Sequence, residues 1–368
     1  MKRFIIHYKV ICFALLLLQF NLSAQTFEKS RSVSKSFFAG SDTELQVFNK
    51  YGDIQLIAWE KDSVKIDVSL KVISTKESKL NNTFDFIDFE FNATKHYIIA
   101  KTTFDGGDSF WSDVKDLANT VFSSGTKSQI DYIIYLPIGM KVELENKFGN
   151  IFISDHKGNL DINLSNGDLN THNLSGENNI KLSFANANIN YFDHGRLNIG
   201  YFSEVHIDDC TDINVDSKSS KVYIKKFNSL DIESNRDHLY LGEGNKVGGK
   251  LMFSFVSIEN LNRSLDISTN YGDFELHNLG NMENGISISS ESTDFIITKK
   301  ESQSFNLDIT YNENAGLFYD DELKNKKSVA VENDKKLVQT TGLLGSKGLS
   351  TIDFKAKILS GSLKINNK

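Results

Sequence analysis

The sequence predicts an all-β protein, built as a parallel β-solenoid with two short strands in each coil. Three observations support this prediction. The 368 residues include 27 phenylalanines and 12 tyrosines but one proline, which is a composition typical of strands. Short alternating segments that begin with Leu or Ile recur roughly every 18 residues. Gly, Asn, Asp and Ser are concentrated between those segments, as expected of turns.

The repeated segments explain how such a chain would bury a core. Alternation places one side of every strand inward, and one unit cannot bury that side alone, so consecutive units must stack. An antiparallel sandwich or barrel is the alternative, but the same half-unit recurring in the same order favours the solenoid. Aligning the segment starts predicts one inward column containing Ile199, Val215 and Ile232. The aligned starts are Leu160, Ile180, Leu197, Ile213, Leu230, Leu251, Leu265, Ile286 and Leu307.

A glycine-containing motif marks the turns. Examples are the segments Asn49–Ile54 and Asn146–Ile151. Glycine permits a positive φ, and an adjacent Asn or Asp can hydrogen-bond the local backbone. Calcium bound by stacked turn acids is the alternative interpretation, but the glycine-rich nonapeptide of calcium-binding solenoids is absent. The turn residues identified in this way are Gly52, Asp53, Gly149, Gly167, Asp168, Gly272 and Asp273.

The amino terminus has the layout of a secretory signal peptide. Basic residues precede the apolar run Val10–Phe20, and Ala24 offers a cleavage site before Gln25. We therefore expect a signal peptide over 1–24 and an exported protein, in the periplasm, at the cell surface or secreted. This apolar run is too short to span a membrane, and no second apolar stretch approaches that length, so no transmembrane segment is expected in the mature chain.

The rest of the chain is predicted to form a single solenoid domain over 25–368. First coils are expected over 25–79, an irregular insertion or cap over 80–130, and regular coils over 131–320. A loop or ragged strand followed by a closing coil is expected over 321–368. Within the insertion, Phe84–Phe91 is strand-like, and a short helical or irregular segment is expected near 105–125 around Trp111. This segment could dock a partner, but capping the apolar column is favoured.

Three segments together resemble a known family. These are Asn49–Leu56 (NKYGDIQL), Asn146–Ile153 (NKFGNIFI) after the strand that contains Pro137, and the ending Thr351–Ile365. In this order they resemble the bacterial "putative adhesin" β-strand-repeat family. The resemblance spans nearly the whole mature chain. It implies a β-solenoid located in the cell envelope, and it implies no established activity.

The sequence contains no recognisable catalytic constellation. Gly244–Lys250 has the spacing of a phosphate-binding loop, but it precedes a strand rather than a helix. The histidines are scattered, and no spacing suggests converging zinc ligands. We therefore expect no catalytic residues, no metal and no cofactor. The formal net charge of −7 also argues against nucleic acid as a partner.

One surface feature suggests a binding face. In each predicted coil, the strand that begins at an aligned start is followed, after a turn, by a second strand. This second strand carries an outward aromatic side chain in three consecutive coils, namely His206, Tyr223 and Tyr240. The two tyrosine rings should therefore stack. Such rings could bind a glycan or an envelope protein, or they could simply support one another. The leading hypothesis is a non-enzymatic, adhesin-like exported protein. A polysaccharide-acting β-helix enzyme and a periplasmic sensing or regulatory module are the alternatives.

Overall fold

The computed structural model describes residues 26–104, 125–331, 334–345 and 350–368. Within these ranges, 22 strands join in one mixed sheet, and a single helix is present. The prediction of an all-β protein is confirmed at this level. The expected signal peptide over 1–24 lies outside the described residues, and so does nearly all of the helical segment expected near 105–125.

The elements follow the chain from Phe27 onward. The first part contains β1 (Phe27–Phe38), β2 (Glu44–Lys50), β3 (Ile54–Trp59), β4 (Ser63–Ser74), α1 (Glu77–Phe86), β5 (Ile87–Ala93), β6 (Tyr97–Phe104) and β7 (Thr126–Pro137). The middle part contains β8 (Lys141–Lys147), β9 (Ile151–Ile153), β10 (Leu160–Ser165), β11 (Asp168–Ser183), β12 (Asn186–Gly200), β13 (Glu204–Lys218), β14 (Lys221–Asn235), β15 (His238–Leu276) and β16 (Ile286–Lys299). The last part contains β17 (Gln303–Asn312), β18 (Gly316–Tyr319), β19 (Leu323–Val331), β20 (Asp334–Leu344), β21 (Ser350–Ile358) and β22 (Gly361–Asn367).

The described residues fall into two compact units. The smaller unit contains α1, where the buried ring of Phe84 lies 4.3 Å from the Lys29 ammonium. The larger unit contains most of the parallel ladder. The smaller unit comprises the described parts of Met1–Ser32, Ser69–Asp88 and Thr103–Gln129, and the larger comprises those of Val33–Val68, Phe89–Thr102 and Ile130–Lys368.

Strands β8 to β16 form a ladder of parallel pairs. Hydrogen-bonded neighbours along this ladder are typically 17 or 18 residues apart in sequence. The same turn of chain therefore repeats with nearly constant length, and equivalent side chains stack. One inward column consists of directly opposed, buried residues, namely Ile162, Ile180, Leu197, Val215 and Ile232.

The predicted register is wrong by two residues at several steps. Leu160 lies opposite Asn178 rather than Ile180, and Val215 lies opposite Leu197 rather than Ile199. Each of these shifts is even, so the predicted inward side is still correct. Hydrophobic alternation fixes which side of a strand is buried, whereas the turns between strands set the register.

The carboxyl-terminal segment departs from the parallel pattern. The first part of 321–368, expected as a loop or ragged strand, contains β19 and β20, which pair antiparallel. Strand β20 also pairs antiparallel with β17, while β17 and β16 each pair parallel with β21. The sheet is therefore mixed rather than parallel throughout. The exposed, lysine-rich β19 lacks the clean alternation that would have predicted a strand.

The segment expected to be an irregular insertion is largely regular where it is described. Phe84 and Phe86 belong to α1 instead of the expected strand, while Phe89 and Phe91 lie on β5. The spacing of two residues within each pair favoured a strand throughout. In α1, Leu80, Thr83 and Phe84 are buried together, which is the spacing of one helix face.

Candidate functional site

The structure brings His206, Tyr223 and Tyr240 together in one stack, called here the face column. They are directly opposed on β13, β14 and β15. The imidazole and the Tyr223 ring have centroids 4.6 Å apart and planes within 4° of parallel. The two tyrosine rings are 4.9 Å apart and within 8° of parallel. The geometry of the expected stack is therefore present.

The face column is partly exposed and continues with other side chains. Phe255 follows Tyr240 at a centroid distance of 5.8 Å. Beneath His206, the same outward row continues through Asn188 and Asn170, whose amides hydrogen-bond at 3.1 Å. Because strands in a sheet are about 4.8 Å apart, planar side chains in register stack without any departure from extended backbone. The column is thus compatible with the strand geometry.

A second aromatic column lies at tight turns of the parallel ladder. Its members share a positive φ between 51° and 71°. From Tyr51 to Arg236, the backbone N–H of each member donates to the carbonyl of the residue just before the next member, for example Phe148 to Ser165. We call it the corner column, and it contains Tyr51, Phe148, Asn166, Phe184, Tyr201, Ser219, Arg236, Phe253 and Tyr271.

The rings of the corner column stack in pairs. Phe184 and Tyr201 have centroids 5.4 Å apart, and Phe253 and Tyr271 are 5.1 Å apart. The Arg236 guanidinium lies 5.5 Å from the centroid of Phe253. These rings are about half exposed, from 48% for Phe253 to 54% for Phe184. Bulky residues disfavour a left-handed backbone, so neither burial nor local conformation explains aromatic side chains here.

The turn glycines follow the corner column instead of forming the left-handed residue. Tyr51, Phe148 and Asn166 carry the positive φ, while Gly52, Gly149 and Gly167 come next. A Cβ on any of these three glycines would collide with a backbone carbonyl of a neighbouring segment. The close approach of these segments therefore requires glycine. Gly272 differs, because its own φ is also positive, at 142°.

Two of the turn acids, Asp53 and Asp168, form hydrogen bonds with neighbouring turns. The carboxylate of Asp53 accepts the Asn150 N–H at 2.8 Å, and that of Asp168 accepts the Asn186 amide at 3.1 Å. The Asn150 side chain in turn accepts the Asp168 N–H. Asp273 lies opposite Asp294 in the next strand pair. In the part of the chain that the structure describes, no three His, Cys, Asp or Glu side chains converge as metal ligands.

A polar groove lies on the outer side of β10 to β13. It has a volume of about 760 Å³. One wall is the row Asp161, Asn179, Arg196 and Asn214, which are directly opposed across four strands. The groove is lined by these four residues and by Lys141, Asn159, Leu160, Glu177, Asn178, His194, Gly195, Asn198 and Asp212. It shares no residue with either aromatic column.

The Cys210 thiol and the His156 imidazole are buried in the interior. Burial raises the pKa of the Cys210 thiol to about 12, so this free cysteine is a poor nucleophile at neutral pH. Burial lowers the pKa of His156 to about 4, and its Nε2 lies 2.8 Å from the Met140 carbonyl oxygen. The segment with phosphate-loop spacing, Gly244–Lys250, lies within β15, where no helix amino terminus follows it.

No protein-family model matches the sequence, and no curated protein matches it. Solved structures with some likeness include a "putative cell adhesion protein" from Clostridium sporogenes, 9% identical, with a TM-score of 0.17 over 92% of this chain and 100% of that one. A "putative adhesin" from Parabacteroides distasonis is 12% identical, with a TM-score of 0.31 over 73% and 94%. A "putative lipid binding protein" from the same organism is 13% identical, with a TM-score of 0.27 over 74% and 94%. TM-scores this low do not establish a shared fold or function.

None of the helices in the described ranges is long and apolar enough to cross a membrane. The sequence reasoning identified the face column but missed the corner column. A signal was available, because aromatic residues recur near the turns at separations close to multiples of 17 or 18 residues, namely Phe148, Phe184, Tyr201, Phe253 and Tyr271. The turn motif suggested that glycine carries the positive φ, whereas Tyr51 and Phe148 carry it in the two motifs.

Proposed function

We propose that this chain is an exported, non-enzymatic, adhesin-like binding protein whose body is a β-solenoid. Parallel pairing at offsets of 17 or 18 residues along β8 to β16 supports the solenoid, with the antiparallel β19 and β20 as a local addition near its end. The solenoid would present its aromatic columns to a glycan or protein partner. Such columns hold many side chains at fixed spacing on a rigid surface.

The exposed aromatic residues of the corner column carry this proposal. Phe184, Tyr201, Phe253 and Tyr271 are about half exposed and have a positive φ. A left-handed backbone costs roughly 1–2 kcal/mol for an ordinary residue. Their stacking in pairs returns roughly 0.5–1.5 kcal/mol. The fold therefore gains little from aromatic side chains at these positions, and exposed aromatic rings are typical of binding surfaces.

The face column is the second part of the proposed binding surface. Tyr223 and Tyr240 are held in a stack by extended strands, so little ordering entropy remains to be lost when a partner binds. Mutual support between the rings is the competing explanation for this column. Only the first explanation predicts weaker partner binding when both tyrosine rings are removed.

The test uses an array of immobilised glycans and extracellular-matrix proteins. Wild-type protein should bind at least one of them. Phe184→Asn with Tyr201→Asn should weaken that binding by about tenfold or more, the loss of one to two interface anchors. Tyr223→Ser with Tyr240→Ser reports on the face column. All measurements are made well below the melting temperature, so that a modest loss of stability does not affect binding.

The matched control is Lys181→Ser with Lys250→Ser, which changes two exposed strand residues outside both columns. It should bind like wild type. Absence of any bound ligand, or equal binding by wild type and both aromatic double variants, would contradict the proposal. A decrease in stability without loss of binding in the face-column variant would restrict the binding surface to the corner column.

A further inference from the structure

The groove on β10 to β13 has hydrogen-bonding groups that the fold does not use. Within the described residues, no ion pair or hydrogen bond involves the Arg196 guanidinium or the Asn214 carboxamide. The carboxylate of Asp161 likewise accepts no hydrogen bond there. All three are exposed and lie on one row across neighbouring strands. Hydrogen-bond donors and acceptors on neighbouring strands are thus available to a ligand.

One buried group in the groove lacks a partner. Asn178 is 1% exposed, and its Nδ2 donates to the Gly176 carbonyl at 2.6 Å. Its Oδ1 has no hydrogen-bond partner in the structure. Leaving a buried acceptor unpaired costs roughly 1–3 kcal/mol. This unsatisfied acceptor is shielded from solvent and lies beside the exposed hydrogen-bonding groups of the groove.

The backbone between the two walls also shapes the groove. Glu177, His194 and Asp212 form the second wall, again directly opposed in register. Between the walls lies Gly195, with a φ of 137°, and a Cβ there would collide with the Asn178 carbonyl. Glycine therefore lets two coils approach closely and leaves backbone accessible at the base of the groove.

The charges of the groove restrict its ligand. Three carboxylates, those of Asp161, Glu177 and Asp212, outnumber the cations of Lys141 and Arg196. The full chain also has a net charge of −7. A polyanion would therefore be repelled. An apolar ligand would leave the amides and charges desolvated without partners. A neutral polyol avoids both costs, because every hydroxyl donates and accepts.

We propose that this groove binds a neutral glycan, whose hydroxyl groups pair with Asp161, Asn179, Arg196 and Asn214. The proposal adds a site and a ligand class to the adhesin-like function. It does not depend on the aromatic columns, with which the groove shares no residue. Glycan hydroxyls would accept from Arg196 and donate to Asp161. The regular spacing of the row would favour an extended chain of sugars over a single ring.

The experiment compares neutral oligosaccharides with uronate-containing and sulfated ones on a glycan array. Wild type should bind neutral glycans in preference to the acidic ones. Asn179→Ala with Arg196→Ala should weaken binding by about tenfold or more, because hydrogen bonds to a charged group are lost. The control Lys250→Ala also removes one exposed cation from a strand, and it should bind like wild type. Circular dichroism and a thermal melt verify that each variant folds.

Three results would overturn the groove as the site. These are preferential binding of acidic glycans, no glycan bound at all, and unchanged binding by Asn179→Ala with Arg196→Ala. The aromatic double variants distinguish this proposal from the previous one. If they lose neutral-glycan binding while the groove variant retains it, the aromatic columns bind the glycan and the groove does not. If they retain it while the groove variant loses it, the groove proposal stands alone.

Discussion

The inward and outward sides of β11 to β14 differ in what determines their residues. Inward, Ile180, Leu197, Val215 and Ile232 are branched apolar residues with at most 2% exposure. Outward, between those positions, the same strands carry amides, acids, lysines and an arginine. The core requires a narrow range of volume and polarity, whereas the fold tolerates many residues outside. Specific groupings on the outer side are therefore informative about function.

The two outward aromatic columns also differ from each other, in the backbone conformation that holds their rings. In the face column the backbone is extended, so stacking of Tyr223 on Tyr240 is a direct product of strand register. In the corner column the backbone of Phe184 and Tyr201 is left-handed, which opposes bulky side chains. Stacking in the face column is not opposed by backbone strain, whereas stacking in the corner column mainly offsets a local cost. Three predictions test the buried interior and the corner column, from the largest expected change in stability to the smallest.

The largest effect is expected at the centre of an inward column. Ile232→Asp places a carboxylate at a position that is 1% exposed, opposite Val215. An unpaired buried charge should lower the free energy of unfolding by about 3–5 kcal/mol. Denaturant unfolding followed by circular dichroism measures the loss.

The neighbouring outward residue provides the matched control. Asp231→Asn changes an exposed side chain on the same strand and should alter stability by less than about 0.5 kcal/mol. Comparable losses for Ile232→Asp and Asp231→Asn would show that the inward and outward sides have been assigned wrongly.

A pH effect is expected from His156, which is buried in the interior. Its folded-state pKa is lowered to about 4, whereas an unfolded histidine has a pKa of about 6.5. Between these values the unfolded state binds a proton that the folded state does not. Stability from this group is therefore present above pH 6.5 and falls as the pH decreases towards 4. The loss should approach about 3 kcal/mol.

Thermal melts at pH 7 and pH 4.5 test this effect in variants. His156→Gln retains a donor for the Met140 carbonyl but has no titrating group, so its stability should depend less on pH than that of wild type. His172→Gln removes an exposed histidine and should preserve the wild-type pH dependence. If His156→Gln and wild type lose the same stability, protonation of His156 is not the cause.

The sequence predicted the aspects of the fold that depend on alternation. The all-β class, the buried side of the repeated strands and the stack of Tyr223 on Tyr240 all follow from a period of two residues. Alternation does not fix register, so the alignment of Val215 with Ile199 was wrong by two residues. The antiparallel pairing of β19 with β20 was not predicted, because the exposed, lysine-rich β19 has little apolar pattern.

The candidate site was predictable only in part. The face column appears in the sequence as Tyr223 and Tyr240 at equal steps in matching strands. The corner column required knowledge of which turn residue carries the positive φ, and sequence reasoning favours glycine for that role. The groove is formed by pairing across β10 to β13, so its walls appear only when the register is known.

The smallest change in stability is expected for a variant in the corner column. It tests whether the gain from ring stacking there is offset by the left-handed backbone. Phe184→Asn removes a ring that stacks on Tyr201, a loss of roughly 0.5–1.5 kcal/mol. The same change relieves a left-handed backbone, which asparagine tolerates better than phenylalanine, and Asn166 occupies the preceding position of the column with a φ of 58°. These terms oppose one another, so the net change in stability should be below about 1 kcal/mol.

Two further variants isolate the contribution of the backbone. Phe184→Val also removes the ring, but a β-branched residue is poorly accommodated at positive φ, so it should melt clearly below Phe184→Asn. Tyr223→Ser removes a ring between two stacked neighbours on extended backbone, where no strain is relieved, and should also destabilise more than Phe184→Asn. If thermal melts instead rank Phe184→Asn as the least stable of the three, the corner rings support the fold. Their exposure would then no longer be an argument for a binding surface.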